Sequence, residues 1–82
     1  MQGTVTYINK AVGLFAVLIA NNNYSVIEIP ETGDIAIGDL ISGNLDSLGE
    51  KTLKNLAKNE VMSVYIQSIH STSTNARGVV YR

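Results

Sequence analysis

The chain has 82 residues, a formal net charge of −1 and no cysteine. A chain of this length forms one domain that buries roughly 60% of its unfolded surface. The lack of cysteine excludes a disulfide framework, a thiolate metal site and a cysteine nucleophile. The six Lys and Arg residues are dispersed, which argues against strong non-specific binding to a phosphate backbone.

The longest apolar run, residues 11–20, is too short to cross a bilayer as a helix. The N-terminus also lacks the basic and apolar regions of a secretory signal. We therefore expect a cytoplasmic protein that does not associate with membranes.

The stretch Gly3–Ala20 predicts a β-hairpin. Its first half alternates polar and apolar residues, as a half-buried strand does. Leu14–Ala20 is apolar throughout and predicts a strand covered on both faces. Asn9, Lys10 and Gly13 supply the turn.

Three further strands follow from the pattern. Tyr24–Ile29 is rich in β-branched residues and is ended by the loop Pro30–Asp34. Leu40–Asp46 alternates again, with Gly43 as a bend where a barrel strand coils or another backbone approaches closely. Glu60–His70 alternates cleanly and predicts the fifth strand.

Two segments leave alternatives open. Gly49–Asn59 contains strong helix formers, and we interpret it either as a short helical turn or as a long loop whose leucines plug the end of the barrel. Residues 71–82 form a polar tail, in which Gly78–Arg82 favours a short edge strand. The prediction is an all-β domain, a small five-stranded OB-type barrel over residues 1–70, with the short helical turn before the last strand as an option.

Two short motifs resemble the start of a cold-shock domain. They are Gly3–Asn9 and Gly13–Val17, and 37–41 resembles the entry to the fourth strand of that family. The resemblance extends from about Gly3 to Asn55. It implies an OB barrel that binds single-stranded nucleic acid through aromatic side chains on its second and third strands.

The resemblance assigns roles to individual positions. Tyr7 stands at the stacking tryptophan of the family and Asn9 at its asparagine. Five positions carry other side chains than the family does: Val12 for a lysine, Leu14 and Ala16 for two phenylalanines, and Ser25 and Ile27 for a phenylalanine and a histidine. Stacking contributes about 1–3 kcal/mol per base, so these replacements predict an affinity several orders of magnitude lower.

Two candidate surfaces result. The nucleic-acid surface consists of tyrosines with flanking polar and basic residues, namely Tyr7, Asn9, Lys10, Tyr24, Lys54, Lys58 and Tyr65. The alternative is that these tyrosines are packing residues whose hydroxyls reach water and that the lysines form a solvated face. The second surface is an aliphatic strand face, at Leu14, Ala16 and Ile27, for a protein partner or a second copy. The alternative there is that residues 78–81 fold back and cover it.

No pattern points to catalysis or to a metal. His70 is the only histidine and has no acidic cluster beside it, and the aspartates at 34, 39 and 46 match no calcium loop. We therefore predict no catalytic residue, no metal and no cofactor. The predicted function is a non-enzymatic binding module, with weak binding of single-stranded nucleic acid first and a protein-interaction or self-associating module as the alternative.

Overall fold

The fold is a closed antiparallel barrel with one helix packed outside it. A computed structural model describes residues 1–30 and 34–81. The elements in chain order are β1 Gln2–Asn9, β2 Leu14–Ile19, a 3-10 helix Ala20–Asn22, β3 Asn23–Glu28, β4 Leu40–Ser42, β5 Gly49–Asn55, β6 Glu60–Ser71 and α1 Ser73–Val80. The strands close in the order β1-β2-β3-β6-β5-β4, and every neighbouring pair is antiparallel. The predicted small all-β barrel of OB type is confirmed.

The barrel has one strand more than the sequence predicted. Gly49–Asn55, interpreted as a helical turn or loop, pairs with β6 along its whole length as β5. Leu53 points into the core and its neighbours point outward, so strand pairing and burial override the helix propensity of this segment. Residues 56–59 form the turn into β6, and no helix lies between β5 and β6, a part of the chain that the structure describes throughout.

β4 is shorter than predicted because Gly43 ends it. Gly43 has φ +142°, and its N–H donates to the Met1 carbonyl oxygen at 2.9 Å. A Cβ there would lie 2.6 Å from Cδ2 of Leu53. The predicted bend is therefore confirmed, and the nearest neighbour is the Leu53 side chain and not another backbone. The loop expected at Pro30–Asp34 lies, at residues 31–33, outside the described residues.

The C-terminal segment is a helix and not a free tail. Ser73–Val80 forms α1, so the edge strand expected at Gly78–Arg82 is not found, and Arg82 lies outside the described residues. Thr72 caps the helix, since its side chain accepts a hydrogen bond from the Asn75 N–H at 3.1 Å. Two helix side chains are fully buried, which stabilises a sequence of low helix propensity.

Two apolar clusters result from this arrangement. The barrel core contains Val5, Phe15, Val17, Ile19, Ile27, Ile35, Ile41, Leu45, Leu53, Met62, Val64 and Ile66. The outer cluster lies between β1–β3 and α1 and contains Leu14, Ala16, Tyr24, Val26, Ala76 and Val80, with Tyr7, Leu18 and Val79 packed against it. β2 therefore has two buried faces, as its uninterrupted apolar sequence predicted.

A β-bulge in β1 distributes its side chains between the two clusters. Val5 pairs with Val17 and Tyr7 pairs with Ala16, so Thr6 is an extra residue on β1. After the bulge Tyr7 faces the outer cluster, whereas a regular strand would turn it to the same side as Val5.

Candidate interaction surfaces

Helix α1 covers the strand face on which the resemblance placed the nucleic-acid site. Tyr7 stacks on Tyr24 with ring centroids 5.7 Å apart and an interplanar angle of 20°. Tyr81, directly after the helix, meets Tyr7 edge to face at 5.9 Å. The tyrosines thus stack on each other, and the ring faces they use are not accessible to bases.

Three hydrogen bonds fix the C-terminal segment to β1. The Tyr7 hydroxyl and the Ser73 Oγ lie 2.8 Å apart. The Tyr81 hydroxyl accepts from the Ile8 N–H at 3.1 Å, and the Asn9 Nδ2 donates to the Val80 carbonyl oxygen at 3.0 Å. This last bond partly satisfies the end of α1, where carbonyl groups lack partners within the helix.

The predicted aliphatic interface is buried inside the chain. Leu14 and Ala16 lie beneath α1, and Ile27 belongs to the barrel core, so none of the three is exposed for a partner. The alternative that the C-terminal segment folds back over this face is confirmed, with a helix in place of a strand. Ser25, which the resemblance aligns with a phenylalanine of cold-shock domains, is also buried. Its hydroxyl donates to the Leu45 carbonyl oxygen.

The basic and aromatic residues of the predicted nucleic-acid surface do not converge. Lys10 lies in the exposed turn between β1 and β2. Lys58 is bound to Asp39, with Nζ and Oδ2 2.8 Å apart. Lys54 and Tyr65 are exposed on the outer side of β5 and β6, away from the face that holds Tyr7. Only Lys54 and Tyr65 share an exposed face.

Asp39 is the hub of a polar cluster at one end of the barrel. Its Oδ2 accepts from Lys58 Nζ and Asn55 Nδ2, each at 2.8 Å, and from the Ala36 N–H at 3.0 Å. Burial acts to raise the pKa of this carboxyl, but the three hydrogen bonds and the ammonium charge outweigh it and hold the pKa below its ordinary value. The hydrogen bond to Asp39 raises the pKa of Lys58 in turn.

The Asp39 cluster predicts an acid-sensitive fold. Because the pKa of Asp39 is lower in the folded chain than in the unfolded chain, its ionisation stabilises the fold above the ordinary pKa of 3.8. That contribution is lost as the pH falls through the folded-state pKa. Denaturant unfolding from neutral to acidic pH should show this loss, and Asp39→Asn should reduce it because the amide does not titrate. An unchanged pH profile in that variant would contradict the assignment.

A second titratable pair lies at the far end of β6. His70 is exposed, has φ +54° and places its Nε2 2.8 Å from the Asp46 Oδ1. His70 thus lies on the surface near the end of β6, with a carboxylate beside it in space. Within residues 1–30 and 34–81, no three His, Asp or Glu side chains are placed to hold a metal ion. None of the described helices is long and apolar enough to cross a membrane.

The outward side chains of β5 and β6 form a surface that no described element covers, here called the open face. It consists of Glu50, Thr52, Lys54, Val61, Ser63 and Tyr65, all exposed. The strand register places Glu50 beside Tyr65, Thr52 beside Ser63 and Lys54 beside Val61. Val61 is 68% exposed and Tyr65 47%, so two large apolar side chains of β6 are directed to solvent within its pairing with β5.

No family model, curated protein or solved structure matches the chain. The open face is therefore characterised by its own chemistry. A groove of about 560 Å³ adjoins its Tyr65 end, and Glu28, Ile29 and Pro30 also line that groove. The Glu28 carboxylate accepts a hydrogen bond from Gln67 Nε2 at 3.2 Å.

Sequence reasoning found two of the six residues of the open face. Lys54 and Tyr65 were among the predicted binding residues, whereas Glu50, Thr52, Val61 and Ser63 were not. The signal in the sequence was the alternation Glu50-Lys51-Thr52-Leu53-Lys54, which has one apolar residue at an inward position. That signal is too short to outweigh the helix formers around it.

Proposed function

We propose that this chain is a non-enzymatic binding module that docks a protein partner through the open face. The observation that carries the proposal is the exposure of Val61 and Tyr65 on adjacent paired strands, beside hydroxyl and charged groups. Aromatic and aliphatic side chains flanked by polar groups are typical of protein–protein contacts. A cytoplasmic location stays a prediction from the sequence.

The charges of the open face favour a protein over a nucleic acid. Lys54 at one end is balanced by Glu50 at the other, and Glu28 adds a second carboxylate beside Tyr65. A phosphate backbone is attracted by clustered positive charge, which this balance does not provide. The ring faces that Tyr7 and Tyr24 stack on each other are also inaccessible to bases, which further supports a protein ligand.

A photo-crosslinking side chain at position 61 tests the proposal. The variant is produced in cells that naturally express the chain and is irradiated there, and we expect covalent adducts with protein. The matched control carries the same side chain at Val12, which is 46% exposed in the turn between β1 and β2. Equal adducts from both positions, or none from position 61, would contradict the proposal.

A labelled single-stranded oligonucleotide tests the competing ligand. We expect no saturable change in fluorescence anisotropy at low salt. Saturable binding at low salt that is weakened both by added salt and by Lys54→Ala would overturn the protein proposal in favour of nucleic acid.

A further inference from the structure

The open face is self-complementary in charge. Along β5 the outward residues Glu50, Thr52 and Lys54 follow one another at about 6.8 Å, two strand residues apart. The register adds Tyr65 to the acidic end and Val61 to the basic end. The face therefore has an acid and an aromatic side chain at one end, and a base and an aliphatic side chain at the other.

The row formed by Thr52 and Ser63 is the midpoint of this pattern. A two-fold axis that lies along this row, parallel to the face, brings a second copy face to face with its strands reversed. Glu50 then lies opposite Lys54 of the second copy, and Tyr65 lies opposite Val61 of the second copy. An axis along the strands would instead place Glu50 over Tyr65 and leave both charges without a partner. The charge pattern thus selects the first arrangement.

Both charges are available for this contact. Glu50 and Lys54 are four residues apart on one strand, about 13.6 Å, which is too far for them to pair within the chain. Among the described residues, the salt-bridge contacts are Asp39 with Lys58 and, through a histidine, Asp46 with His70, and neither involves Glu50 or Lys54. The neighbouring Lys51 uses its Nζ to donate to the Leu48 carbonyl oxygen at 3.1 Å.

We infer that the partner of the open face is a second copy of this chain, in an isologous dimer with two Glu50–Lys54 contacts. This inference rests on the proposed function, since it names the protein that the open face docks. A patch of six residues on a convex barrel is smaller than the roughly 1,200–2,000 Å² buried by stable interfaces. The dimer is accordingly a weak one that dissociates on dilution.

Charge reversal at Glu50 in one variant and at Lys54 in another tests the dimer, and the decisive sample is an equal mixture of the two variants. Glu50→Lys places two lysines opposite each other at both contacts, and Lys54→Glu places two glutamates opposite each other. By sedimentation equilibrium, each variant alone should have a dimer dissociation constant raised about tenfold. An equal mixture of the two should associate about as well as the unsubstituted chain, because both contacts of a mixed dimer join a lysine to a glutamate.

A mixed dimer of the two variants contains two different contacts between positions 50 and 54. One contact joins position 50 of the Glu50→Lys copy to position 54 of the Lys54→Glu copy, which is a lysine with a glutamate. The other joins the unchanged Glu50 of one copy to the unchanged Lys54 of the other, so both contacts are attractive. The double variant Glu50→Lys/Lys54→Glu should also recover association, since it exchanges the two charges.

Two controls separate this result from a folding defect or a net-charge effect. Both positions are exposed, so each variant should unfold within about 0.5 kcal/mol of the unsubstituted chain. Lys10→Glu makes the same charge change as Lys54→Glu, but in an exposed turn, and should leave dimerisation unchanged.

The outcomes distinguish this inference from the proposed function. Failure of the mixture to associate better than either variant alone overturns the second copy as partner. A monomeric unsubstituted chain that still forms adducts at position 61 with other proteins overturns the dimer and leaves the proposed function standing. A monomeric chain without any such adducts overturns both.

Discussion

Removal of residues 72–82 should lower the free energy of unfolding by more than about 3 kcal/mol. The burial of one valine such as Val80 contributes roughly 1.5–3 kcal/mol, and the deletion also exposes Leu14, Ala16 and Val26 on the barrel surface. Domains have about 5–15 kcal/mol of stability, so the loss is a large share of the total. Urea unfolding measures it, and binding of a hydrophobic dye should report the exposed outer cluster.

The matched control for this truncation is Thr74→Ala. Thr74 is exposed on α1, so its replacement should change the free energy of unfolding by no more than about 0.5 kcal/mol. If the truncated chain unfolded at the same urea concentration as the full chain, α1 would not be a structural part of the domain.

Asp39→Ala should also destabilise the fold strongly. Asn55 is 1% exposed, and its Nδ2 would lose its acceptor inside the protein, which costs about 1–3 kcal/mol. The Asn55 side chain cannot turn away easily, because its Oδ1 accepts from the Ala57 and Lys58 N–H groups at 3.1 and 3.3 Å. Thermal or denaturant unfolding at neutral pH measures the loss.

Asp46→Ala is the comparison for this substitution. It removes a carboxylate that also contacts a neighbouring side chain, but Asp46 and His70 are both largely exposed. Exposed pairs contribute about 0–1 kcal/mol, so the effect should be smaller than that of Asp39→Ala. An equal or larger loss from Asp46→Ala would contradict the role assigned to the Asp39 cluster.

The parts of the fold that the sequence predicted are those where local pattern and tertiary burial agree. The hairpin of β1 and β2 and the two-faced burial of β2 were both predicted. Glu60–His70 was predicted as a strand that the structure extends to Ser71. In each case an apolar run or a clean alternation was long enough to decide the element without knowledge of its neighbours.

The parts that the sequence did not predict depend on contacts between distant segments. The sequence of α1 contains Ser, Thr and Asn, an internal Gly78 and two valines, all of lower helix propensity than alanine. It becomes helical because Ala76 and Val80 fill the surface above β2 and β3, a surface that exists only after the barrel has closed. β5 likewise pairs with β6 along its whole length despite the helix propensity of its residues.

The candidate sites show the same limit. Tyr7, Asn9 and Tyr24 were predicted as nucleic-acid-binding residues, whereas in the structure their contacts are with one another and with the C-terminal segment. A pattern of residue types cannot distinguish a tyrosine whose ring is accessible for stacking on a base from one that already packs against another aromatic ring. The distinction requires knowing where residues 73–81 lie.

The bulge at Thr6 divides β1 into two halves of opposite phase. Before it, inward side chains fall at odd positions such as Val5, and after it they fall at even positions such as Ile8. Thr6 is therefore the one residue of surplus length in the strand, and a chain without it would keep Tyr7 outward and Ile8 inward. An inserted residue anywhere else in β1 would turn every later side chain of the strand to the opposite face of the barrel wall. The strand therefore accepts substitutions far more readily than changes of length.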